Sequence, residues 1–167
     1  MAFYLLLIVL GVAALLQVSF LPPLAINGVS ANLMLVLVVG WTLLRGLREG
    51  VVWAVIGGLW LDLLSGGPFG LHTLGLLIAA YIASLGGGTI YRGNIFLPFI
   101  MIAITTLAQN AIQLLILWLT GAAQSVPDAL LRLIFPQIGL NLLLMLILYP
   151  ILARISRATG RERLPLE

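Results

Sequence analysis

Six long apolar runs, punctuated by glycine, proline and arginine, limit what this chain can fold into. They are Phe3–Phe20, Asn32–Leu44, Gly50–Ser65, Leu71–Gly87, Ile95–Thr120 and Leu130–Ala153. About 20 apolar residues match the ~30 Å hydrocarbon core of a bilayer, and about 17 suffice where helix ends snorkel or the bilayer thins. Water is the wrong solvent for this sequence, because charged residues make up only 8% of it, against about 25% in a soluble domain. The sequence predicts an all-α fold: a polytopic membrane helical bundle of six transmembrane helices, one integral membrane domain over residues 1–167. Its core lies between helices. Five crossings is the alternative, if the second and third runs form a broken or partly inserted pair. The first run has no basic segment before it and no small-x-small cleavage site before Pro22-Pro23, so it is expected to stay as a membrane helix.

Arginine placement orients the bundle. With a cytoplasmic N-terminus, the inner loops hold Arg45, Arg48 and Arg92. The tail holds Arg154, Arg157, Arg161 and Arg163, which leaves Arg132 alone outside. Positive charge favours the cytoplasmic side, so both termini are expected there. Because the basic residues are thinly spread at the ends of apolar runs, the net charge of +3 reflects topology and not nucleic-acid binding. Trp41, Trp60, Tyr81, Tyr91, Trp118 and Tyr149 fall mostly near span ends, as interfacial anchors do. With no cysteine, the chain offers neither disulfides nor thiolate metal sites.

Membrane helices associate by close packing and interhelical hydrogen bonds, since lipid tails are as apolar as leucine. The fourth run carries Gly75, Ala79, Ala83 and Gly87 at intervals of four, and the third carries Gly50, Ala54 and Gly58. These strips predict a close antiparallel hairpin, turned at Gly66, Gly67 and Gly70. The fifth run presents Thr105, Gln109 and Gln113 on one face with Thr106 and Asn110 beside them; the sixth offers Gln137 and Asn141. A hydrogen-bonded seam between these helices is preferred to a polar ligand pocket. Pro136 and Pro150 are expected to bend the sixth helix or end its regular bonding.

Asp62 is the one carboxylate within the apolar runs. A charge at the bilayer centre costs from ~3 to ~10 kcal/mol or more, so it needs a partner, water or a nearby interface. A carboxylate that pins a helix end near the headgroups is preferred to a polar site. His72 and Arg132 start their spans at the same depth, and Asp62 is predicted to pair with Arg132, or with His72 across the turn. The chain lacks a His/Cys cluster, a close carboxylate pair, a phosphate loop with lysine and a nucleophile with its base. It is therefore read as a non-enzyme without cofactor or metal.

The segment Arg45-Gly46-(x)3-Gly50-(x)7-Gly58-(x)3-Asp62, followed by Ser65-Gly66-Gly67-Pro68-Phe69-Gly70 and Leu71–Leu74, resembles the core of the rod shape-determining protein MreD family. The Leu16-Gln17 pair, the run Ala31–Leu37, the length and the basic tail agree with it. The chain departs from the family at Ala31-Asn32, where a proline often precedes the second span. The resemblance implies a scaffold subunit of the bacterial cell-elongation machinery in the inner membrane. It also implies MreC as direct partner, with MreB, the glycan polymerase RodA and a class B penicillin-binding protein in the wider complex. It supplies no catalytic residues. Arginines near the membrane attract anionic lipid at about 1 kcal/mol each. The alternative reading is the substrate-binding membrane subunit of an energy-coupling-factor-type vitamin transporter, also built of six short spans. Those subunits carry an alanine-x-x-x-alanine pattern in span one, which Gly11, Ala13 and Ala14 do not form, so the scaffold is preferred.

Overall fold

The computed structural model describes residues 2–22, 29–86, 96–119 and 134–159. Among them are six helices: α1 (Ala2–Ser19), α2 (Leu33–Arg45), α3 (Leu47–Ser65), α4 (Leu71–Gly86), α5 (Leu97–Leu119) and α6 (Phe135–Ala158). By length and composition, α5 over Leu97–Ile116 and α6 over Phe135–Ala158 are able to cross a membrane; α1, α2 and α4 are apolar but shorter.

Helix ends follow local chemistry. Gly46, at φ +91°, alone joins α2 to α3. The two are therefore distinct helices, and α3 starts at Leu47 instead of Gly50, drawing Arg48 and Glu49 into its first turn. Gly66 closes α3 in the left-handed conformation at φ +66°, which costs glycine nothing. The sixth helix is described from Phe135, with Pro136 in its first turn, where no N–H is needed; residues 130–133, where its start is expected, lie outside the described residues. Pro150, expected to bend the helix or end its regular bonding, does not stop it. The helix runs through it to Ala158, as membrane helices tolerate when neighbours satisfy the freed carbonyl.

Small residues give the register. A Cβ at Gly50 would strike Thr42, and one at Gly57 would lie 2.5 Å from Met34 Sδ, so α2 and α3 run antiparallel. Likewise Gly58 meets Thr73 of α4, while Gly75 and Gly86 meet Gln109 and Met101 of α5. The expected close antiparallel hairpin of α3 and α4 is present, but its small residues also serve other neighbours. Gly58 faces α4, Gly50 and Gly57 face α2, and Gly75 faces α5. Sequence spacing marks a small-residue strip but not the neighbour that covers it. Ala79 and Ala83 are wholly buried, and Gly87 lies outside the described residues. At the centre is α2, buried continuously from Met34 to Thr42.

Candidate functional site

Asp62 sits on the last turn of α3 and is 4% exposed. Its Oδ1 accepts the backbone N–H of His72 at 2.9 Å. Its Oδ2 accepts the N–H of Thr73 at 3.2 Å and the Thr73 hydroxyl at 2.6 Å. The first N–H groups of a helix lack intrahelical acceptors, and negative charge is favoured there. Asp62 therefore caps α4 from the neighbouring helix. Gly58 permits the approach, because a Cβ there would run into the Thr73 backbone. The turn is completed by Gly70 at φ +93° and by the Leu74 N–H donating to the Gly70 carbonyl at 2.9 Å. Gly67 is exposed at the tip. Asp62 thus meets the main chain at His72, while the His72 ring faces α5, with Nδ1 3.4 Å from Gln113 Nε2. Arg132, its other expected partner, lies outside the described residues.

A second buried helix end is satisfied in the same way. With 13 residues, α2 is about 20 Å long, too short for the ~30 Å hydrocarbon core. Its N-terminus lies beside Asn141 and Gln109, about 9 Å and 15 Å inside the ends of α6 and α5 at 1.5 Å per residue. At that depth side chains supply the acceptors. Asn32 is the N-cap, its Oδ1 accepting from the Leu35 N–H at 3.0 Å. Gln17 Oε1 of α1 accepts from the Met34 N–H at 2.7 Å. Asn141 Oδ1 of α6 accepts from the Asn32 N–H at 2.7 Å, and Asn32 Nδ2 donates to Gln109 Oε1 at 3.3 Å. Asn141 Nδ2 donates to Thr106 Oγ1 at 3.0 Å, and nearby Asn110 Nδ2 donates to Gln137 Oε1 at 2.8 Å. The α5–α6 seam is present, but its purpose at Asn141 is to close α2. Asn32 and Gln17 were not singled out as polar-site residues; the asparagine before an apolar run was the available signal for a cap.

The opposite end of α2 is held by a cation. Arg45 is the last residue of α2, and its Nη2 donates to Thr159 Oγ1 at 2.6 Å, the residue that caps the C-terminus of α6. Positive charge at two helix C-termini is favourable. Its Cζ lies 5.4 Å above the Trp41 ring, and Nη1 is 4.0 Å from Glu49 Oε1. Trp41 donates through Nε1 to Glu49 Oε2 at 3.0 Å and stacks on Trp53 at 4.4 Å. Arg48, Arg154 and Arg157 are exposed; Arg92 lies outside the described residues. Among the described residues, no three His, Asp or Glu side chains gather as a metal site would require.

The bundle and its capped ends define a helical membrane protein in which the polar side chains join helices to one another. Compared with known families, residues 1–158 match the rod shape-determining protein MreD. The chain belongs to the MreD family, whose members are bacterial membrane proteins that determine rod shape. No match was found among curated proteins or solved structures.

Proposed function

We propose that this chain is a non-enzymatic scaffold subunit of the bacterial cell-elongation complex for rod shape and peptidoglycan synthesis. In this reading it lies in the inner membrane with six crossings and both termini cytoplasmic. It binds the membrane helix of MreC and, through the wider complex, serves MreB, RodA and a class B penicillin-binding protein. The antiparallel succession of helices and the arginines at the end marked by Arg45 and Thr159 support that topology.

The observation that carries the reading is how polar and apolar surfaces are divided. The buried amides bond to one another and to helix ends, which favours a scaffold over a solute-binding subunit. Meanwhile a wholly apolar groove of about 800 Å³ lies open between α5 and α6, lined by Phe96, Phe99, Pro136, Gly139, Leu143 and Leu146. From Pro136 to Leu146 it runs about 15 Å along α6, a size and polarity suited to a membrane helix. A Cβ at Gly139 would meet nothing within 4 Å, so a large side chain there fills the groove without disturbing the fold. Gly139→Trp should cut recovery of MreC in a mild-detergent pull-down by about tenfold, equivalent to ~1.4 kcal/mol, with unchanged expression. Undiminished recovery would show that MreC does not use this groove.

A further inference from the structure

We infer that the end of the bundle marked by Arg45 and Thr159 binds a phospholipid with two phosphates, a diphosphatidylglycerol, between the α2–α3 junction and α6. All four arginines of the described residues lie at this end. Arg45 and Arg48 flank the junction at Gly46, and Arg154 and Arg157 occupy the last turns of α6. The bond from Arg45 Nη2 to Thr159 Oγ1 at 2.6 Å brings the two pairs together. The acidic residue at this end is already engaged, since Glu49 accepts from Trp41 Nε1 at 3.0 Å and lies against Arg45. Asp62 is at the opposite end of α3, about 21 Å from Arg48 at 1.5 Å per residue, and is bonded to α4. Arg48, Arg154 and Arg157 are exposed, and among the described residues no carboxylate neutralises them. Like charges gathered on one surface repel, so this end favours a negative partner from outside the chain.

The surface below the charges selects a lipid over a soluble phosphate. On α6, Ile147, Ile151 and Ile155 are exposed at intervals of four, a strip that leads directly to Arg154 and Arg157. From Ile147 to Arg157 the helix rises about 15 Å, which matches one leaflet of a ~30 Å hydrocarbon core. An acyl chain on the isoleucines therefore sets its phosphate level with the arginines, whereas a nucleotide or inorganic phosphate has no use for the apolar strip. The guanidinium groups are also held in place. Arg45 Cζ lies 5.4 Å above the Trp41 ring, and Arg157 Nε donates to the Ala153 carbonyl at 3.2 Å. A fixed guanidinium grips a phosphate through parallel N–H bonds and loses little freedom in doing so. Because the arginines come in two pairs on separate helices, a lipid with two linked phosphates answers both pairs at the cost of ordering one molecule. Basic pockets between membrane helices on the cytoplasmic side suit such headgroups, and the topology proposed above puts this end there.

The test titrates the full-length protein in mild detergent with tetraoleoyl diphosphatidylglycerol and counts retained lipid by native mass spectrometry. The double variant Arg48→Gln/Arg157→Gln should bind it about thirtyfold more weakly than the parent, or ~2 kcal/mol for two arginines. A second double variant, Arg161→Gln/Arg163→Gln, removes the same charge from the tail and should lose less than about threefold. Equal losses in the two would show diffuse attraction to positive charge and overturn the proposal, as would undiminished binding in the first. Dioleoylphosphatidylglycerol, with one phosphate, should bind the parent at least about tenfold more weakly; equal affinity for the two lipids overturns the assignment of two phosphates. Since the substituted side chains are exposed, unfolding temperatures without lipid should agree within about 2 °C. Added diphosphatidylglycerol should then raise that of the parent and the tail variant but not that of Arg48→Gln/Arg157→Gln, and an equal rise in all three contradicts the site.

Discussion

Two helices of similar apolar character, α2 and α6, have opposite surroundings. From Met34 to Thr42, α2 is covered by protein on every side, whereas Leu143, Leu146, Ile147 and Ile151 of α6 are exposed. Hydrophobicity does not separate them, because lipid and protein interior are equally acceptable to leucine. What separates them is backbone. An enclosed helix that ends within the membrane must find acceptors for its first N–H groups, and α2 finds them in Gln17, Asn32 and Asn141. The long α6 extends about 9 Å past that point at 1.5 Å per residue. In this bundle, amide side chains and glycines reveal which helix is interior.

The sharpest way to break that comparison is Asn32→Leu. It leaves the Leu35 N–H and Gln109 Oε1 without partners at membrane depth, and should cost about 2–4 kcal/mol of unfolding free energy in detergent. A variant as stable as the parent would mean that α2 does not depend on its cap. The next effect is steric. A Cβ at Gly40 of α2 would lie 2.8 Å from Leu152 Cδ1, so Gly40→Val should cost about 1–3 kcal/mol by overpacking. Its counterpart on α6 is Gly139, where the surroundings are open, and Gly139→Leu should stay within about 0.5 kcal/mol of the parent. Equal effects at the two glycines would erase the distinction between enclosed and lipid-facing helices.

Much of the helical layout was legible in the sequence, because apolar runs and their breakers report helices directly. Leu71 begins α4 and Ser65 ends α3 as expected, since Gly66, Pro68 and Gly70 forbid continuation between them. Pro136 suits a first turn as well as a kink, and it lies in the first turn described for α6. The candidate site was legible in kind more than in partnership. A lone carboxylate near a glycine-rich turn announced a structural role at a helix end. That Asp62 would take main-chain N–H groups of α4 depended on the close approach at Gly58, which spacing alone does not give. Asn32 stood out as a departure from the family pattern. In that Ala31-Asn32 pair, the Asn32 side chain supplies the cap of α2.

The central claim is that the polar side chains buried in this bundle satisfy helix ends. Amide hydrogen exchange in Asp62→Ala tests it most directly, read at His72 and Thr73 by ¹⁵N spectroscopy. If Asp62 caps α4, exchange at those two amides should accelerate by at least tenfold, or ~1.4 kcal/mol of lost local protection, relative to amides in α6. Unchanged exchange at His72 and Thr73 would contradict the account.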